Sequence, residues 1–119
     1  MGLTHIPVTV SNLHTHASYS AVFLVDTGAT EPMIPASELK RIGIQPVHKR
    51  FYELADGRMQ EFEIGEARLS FWDETFPTRV LFGPDGSEPI LGVLALESVG
   101  LMVDPENQTL RRLRALPLK

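Results

Sequence analysis

The sequence contains no cysteine. Disulfides, thiolate metal centres and cysteine nucleophiles are therefore excluded. No apolar run approaches the ~20 residues of a membrane-spanning helix. An excess of basic charge is also missing. Eleven Lys and Arg against 15 Asp and Glu give a net charge of −4, which argues against a basic footprint for nucleic acid or an anionic membrane. The segment Met1–Pro7 lacks a basic region followed by an apolar stretch, so no secretory leader is expected. Internal repeats, low-complexity tracts and linkers are absent. What remains is a chain of 119 residues that is 43% hydrophobic and 22% charged. That composition predicts one folded domain over 1–119, soluble and cytoplasmic, with a genuine core.

Nine Gly and nine Pro are scattered along the chain, which predicts many short elements rather than long helices. Ile6–Val10 alternates and reads as a strand, and Ser11–Ser20 reads as a polar loop. Ala21–Val25 is a continuous apolar run of strand length, expected to be buried on both faces. Pro35–Ile42 has helical character, with Pro35 suited to a first helical position and Gly43 to closing the other end. Phe51–Leu54 and Met59–Ile64 flank Ala55-Asp56-Gly57-Arg58, a hairpin signal. Ala67–Trp72 and Thr78–Phe82 read as two further strands. Gly83–Gly86 reads as a loop, Val93–Val99 as a short helix, and Leu101–Val103 with Gln108–Leu113 as a last hairpin. The fold class expected is mainly β with one or two short helices.

The informative segment is Phe23-Leu24-Val25-Asp26-Thr27-Gly28-Ala29-Thr30. An apolar strand delivers a carboxylate into a tight turn, a placement that is costly unless the carboxylate is hydrogen-bonded or paired. Gly28 allows a sharp turn and a close approach by another chain. A strand-capping turn would look the same, so the tripeptide alone decides little.

Its context decides more. Leu24-Val25-Asp26-Thr27-Gly28-Ala29, followed by Met33-Ile34, resembles the active-site turn of the retropepsin-like aspartic proteases. Ile90-Leu91-Gly92 resembles their second signature. The Tyr52–Phe62 hairpin, with Asp56-Gly57 at its tip, falls where that family has its flap. Leu91-Gly92-Val93-Leu94, followed by Leu101–Val103, Asp104 and Pro105, is similar to bacterial single-domain members. The resemblance spans nearly the whole chain and implies a closed β-barrel of the acid-protease type. It also implies an aspartic endopeptidase without a cofactor, in which two carboxylates share one proton because like charges in contact cannot both ionise. One carboxylate activates a water and the other donates to the scissile carbonyl. The chain holds one Asp-Thr-Gly and is long enough for one lobe, so the resemblance implies a homodimer with Asp26 of each copy at the two-fold axis. Thr27 would tie the two turns together, and Gly28 would leave space for water and substrate backbone.

An extended peptide or protein substrate would be bound by strand addition beneath a lid formed by Ala55, Asp56 and Gly57. Ala29, Leu54, Ile34, Phe51 and Leu81 are the candidates for its pockets, although each apolar one suits an ordinary core equally well. Ala29 has no hydroxyl with which to favour the charged carboxylate, so activity should extend to milder acid than in pepsins. One departure from viral members stands out. Thr30 and Val93 occupy positions where those enzymes carry an Asp–Arg ion pair that supports the dimer. Met1–Pro7 and Arg111–Lys119 lie where those enzymes build an interface sheet. Pro32 suits only an edge or bend. The pair His14 and His16, without cysteine nearby, reads as a polar loop rather than a metal site. Ser18 and Ser20 lack a nucleophile turn, the basic tail reads as a solvated face, and Trp72 reads as a core or rim anchor. A competing reading is a non-catalytic module that uses the same barrel to bind peptides or proteins; the intact Asp26 turn argues against it.

Overall fold

The computed structural model describes residues 4–26, 28–104, 106–107 and 109–113. In these residues the chain runs through β1 (Thr4–Ser11), β2 (Ser18–Asp26), β3 (Met33–Pro35), α1 (Ala36–Arg41), β4 (His48–Glu53), β5 (Met59–Phe71) and β6 (Glu74–Gly83). It continues through β7 (Ile90–Gly92), α2 (Val93–Ser98), β8 (Leu101–Asp104) and β9 (Thr109–Arg112). The strand order β1-β2-β7-β3-β6-β5 closes on itself, because Thr9–Ser11 of β1 pair with Arg68–Ser70 of β5. This six-stranded ring is a closed, mixed β-barrel, with β7 parallel to β2 and β3 parallel to β6. Closure removes the exposed edges that an open sheet would carry. The strand β4 stands outside the ring and pairs with the first half of β5. The long strand β5 therefore serves twice: Met59–Ile64 form an arm of the β4–β5 hairpin, and Ile64–Phe71 form a barrel stave against β6.

Barrel strands alternate between core and exterior. In β1, Ile6, Val8 and Val10 point inward, and in β2 Phe23 and Val25 do so. With Ile34, Leu39, Ala67, Leu69, Val80, Leu91 and Leu96 they form one hydrophobic cluster. The expectation that Ala21–Val25 is buried on both faces is corrected by this geometry. Val22 is 56% exposed, because its face of the barrel wall looks outward.

Two other expectations are refined. Met59–Ile64 and the Ala67–Phe71 part of the second run are one strand that passes through Gly65. A Cβ there would lie 2.9 Å from the Phe82 ring and 3.1 Å from the Gln45 carbonyl, so only glycine permits the crossing. The β5–β6 turn is Trp72-Asp73, with φ of 52° and 62°. These are the left-handed values of a type I′ hairpin, reached here without Gly or Asn. Trp72 is thus a turn residue and not core, with the Arg112 guanidinium 5.7 Å from its ring centroid.

The helix α1 begins at Ala36, one residue later than expected, with Pro35 at its N-cap. The Asp85 carboxylate reaches across from the 84–86 loop and accepts a 2.8 Å hydrogen bond from the Ser37 amide. That bond holds the Asp85 carboxyl below the usual carboxylate range. Gly43, at φ 83°, ends the helical segment as predicted. The last hairpin, β8–β9, folds back on its own chain. Thr4–Pro7 likewise pair with Val22–Val25 of the same chain. Residues 1–3 and 114–119 of the suggested interface segments lie outside the described residues.

Candidate active site

Asp26 ends β2 and stands in register with Gly92 of the parallel neighbour β7. Because β7 lies between β2 and β3, the chain that leaves Asp26 must cross the end of β7 to reach β3. Gly92 permits that crossing. A Cβ there would lie 2.6 Å from both the carbonyl carbon and oxygen of Thr30, and 2.8 Å from the Glu31 nitrogen. Just beyond Gly92, the amides of Val93 and Leu94 donate to the carbonyls of Ala29 and Thr30, at 2.9 and 3.3 Å. The two sequence segments around Asp26 and Gly92, some 60 residues apart in the chain, are therefore one structural unit.

Within the turn, the Gly28 amide donates to Asp26 Oδ1 at 2.9 Å, and the Ala29 amide donates to the Asp26 carbonyl at 3.1 Å. A Cβ on Gly28 would come within 3.2 Å of Asp26 Oδ1, so glycine leaves the approach to the carboxylate open. The Asp26 side chain is half-buried. Thr27 lies outside the described residues.

A groove of about 300 Å³ opens beside this turn. Gly28, Ala29, Thr30 and Glu31 form one wall, and Met33, Leu81 and Ile90 form the floor. Tyr52, Glu53, Leu54, Ala55 and Phe62 come from the β4–β5 hairpin. Of the residues singled out in the sequence, Gly28, Ala29, Leu54, Ala55 and Leu81 thus meet around one space. Ile34 does not, which corrects its assignment as a pocket residue. It is completely buried in the barrel core, since it follows Met33 in β3 and faces the other way. Phe51 also points away, 65% exposed, because alternation along β4 turns Tyr52 toward the groove instead. Asp56 and Gly57 form the hairpin tip, beyond the groove walls. The Asp56 carboxylate serves its own turn, accepting from the Arg58 amide at 3.0 Å and from Arg58 Nε at 2.6 Å. Those bonds hold its pKa below the usual range. Gly57 supplies the left-handed φ of 87° that the tip requires.

The structure also adds a cluster that sequence reasoning missed. Glu31 is only 8% exposed. Its Oε1 lies 2.7 Å from Arg79 Nη2 on β6, and its Oε2 accepts a 2.5 Å hydrogen bond from the Tyr52 hydroxyl on β4. Burial and the hydrogen bond to the Glu31 carboxylate push the Tyr52 phenol up to about 12. Thr30 and Val93 can form no ion pair, as read from the sequence, and the carboxylate–guanidinium pair present here joins Glu31, the residue after Thr30, to Arg79 on β6. A second hollow of about 390 Å³ lies on the other side of Glu31, bounded by Arg79, Phe76, Leu94 and Ser98. His14 and His16 sit in the exposed loop after β1, organised by Asn12, whose Oδ1 accepts from the His14 amide at 2.8 Å. Among the described residues, no helix is long and apolar enough to cross a membrane.

Neither a family model nor a curated protein sequence matches the chain. Solved structures do. The retroviral protease-like domain of Ddi1 from Leishmania major is 17% identical with a TM-score of 0.60, over 97% of this chain and 91% of that one. A retropepsin-like aspartic protease from Rickettsia conorii is 18% identical with a TM-score of 0.55, over 87% of each chain. The simian foamy virus (mac) protease is 13% identical with a TM-score of 0.53, over 75% of this chain and 87% of that one. At these identities the likeness is one of architecture. The chain therefore has the fold of the retropepsin-like aspartic proteases.

Proposed function

We propose that this protein is an aspartic endopeptidase that works as a homodimer and needs no cofactor. The observation that carries the reading is the placement of Asp26. A carboxylate ends a barrel strand, is oriented by the Gly28 amide, and adjoins a groove lined in part by a β-hairpin. In the reaction, Asp26 and its copy across a two-fold axis share one proton. The ionised carboxylate takes a proton from water as the oxygen attacks the peptide carbonyl. The protonated carboxyl donates to the carbonyl oxygen, and a proton is then passed to the departing amine. Thr27 would hold the two turns together, and Gly28 would keep the approach to the carboxylates free. Ala29, Leu54, Ala55 and Leu81 would contact an extended peptide, with Asp56 and Gly57 shaping the lid tip.

The alternative, a peptide-binding module without catalysis, is favoured by one observation. The ion pair that supports viral dimers is replaced by Thr30 and Val93. Cleavage of a peptide library at mildly acidic pH by the wild type and by Asp26→Asn separates the two readings. Cleavage by the wild type alone is expected. Equal cleavage by both removes Asp26 from the mechanism, and peptide binding without cleavage leaves the binding module.

A further inference from the structure

We propose that Glu31 is a positioning residue that latches β4 over the groove through the Tyr52 hydroxyl, braced from behind by Arg79 on β6. Among the described residues, β4 has one strand partner, β5. Its opposite edge is free, so the height of the hairpin above the groove must be set by contacts other than the ladder. The Tyr52–Glu31 hydrogen bond, 2.5 Å long, is such a contact. It joins the hairpin to the segment that follows the Asp26 turn, and both residues line the groove. The Tyr52 ring is fixed by edge-on packing against Phe62, with centroids 5.9 Å apart and planes at 74°. On the other oxygen, Arg79 fixes the direction of the Glu31 carboxylate. A buried carboxylate with only one of these partners would lose either its charge balance or its hold on the hairpin. Because the Tyr52 phenol keeps its proton to about pH 12, the hydroxyl remains a donor throughout the range in which a peptidase would work.

The kinetic consequence rests on the endopeptidase reading; the latch itself does not. Tyr52→Phe removes the hydroxyl and leaves the Glu31–Arg79 pair and the ring packing in place, so the fold should survive. Hydrogen exchange on this variant should show amides of the β4–β5 hairpin exchanging about tenfold faster, the worth of one hydrogen bond to a charged group. Amides of β1 and β2 should keep their wild-type rates. In peptide cleavage, KM should rise about tenfold with kcat little changed, since substrate binding must then also close the hairpin. Glu31→Gln retains an acceptor oxygen for Tyr52 and should raise KM less than Tyr52→Phe does. Unchanged hairpin exchange overturns the latch. So does acceleration spread equally over the barrel, which marks a merely structural bond, and so does fast hairpin exchange with an unchanged KM. If the wild type cleaves no peptide, the endopeptidase reading fails while the exchange pattern still decides the latch.

Discussion

The turn at Asp26 is held by contacts of single atoms, and its predictions are correspondingly local. Gly28→Ala places a methyl group within 3.2 Å of Asp26 Oδ1, where water and substrate approach in the proposed reaction. Peptide cleavage by this variant should fall by about 10²-fold, the cost of misplacing reacting groups by an ångström, with a melting temperature close to wild type. Preserved activity would mean that the approach is not through this space. Tyr52 gives a pH prediction. Its phenol ionises near pH 10 in the unfolded chain and near 12 in the folded protein. Between those values the unfolded state has lost a proton that the native state keeps, so stability falls as pH rises from 10 to 12. Tyr52→Phe should flatten that part of the alkaline unfolding curve, as read by circular dichroism. At this scale the sequence was legible where a turn is written in a contiguous run, as around Asp26 and Gly28. It was not legible for Glu31, Tyr52 and Arg79. Their meeting depends on strand register and barrel closure, and each by itself looks like an ordinary polar surface residue.

Elements come together at Gly92, where the chain leaving β2 crosses β7. A methyl group there would press on the Thr30 carbonyl and the Glu31 nitrogen, which are backbone atoms that cannot rotate away. Gly92→Ala should therefore destabilise the fold by about 1–3 kcal/mol, the usual cost of forced overpacking, measured by urea unfolding. A neutral effect would mean that the crossing is looser than the geometry implies. Most elements were readable from pattern and turn chemistry, including the Asp56-Gly57 hairpin and the helix closed by Gly43. Two were not. The Trp72-Asp73 turn has positive φ at both residues without the Gly or Asn that announces such turns. The apolar run Ala21–Val25 looked two-sided because a barrel strand can expose Val22 on its outer face, and only closure of the ring decides which face that is.

The described residues enclose a core within six strands and leave a groove beside the Asp26 turn. The chain has one Asp-Thr-Gly, and the proposed chemistry requires two carboxylates in contact. A dimer linked to folding should raise the melting temperature with protein concentration; a melting temperature independent of concentration would favour a monomer. The most direct test mixes wild-type chains with Asp26→Asn chains in varying ratio, at a fixed total concentration that allows subunit exchange, and follows peptide cleavage. If each active site is built from two copies, only dimers with both aspartates cleave, and activity falls as the square of the wild-type fraction. A fall in simple proportion to that fraction would show that each chain works alone, and would contradict a site shared between two copies.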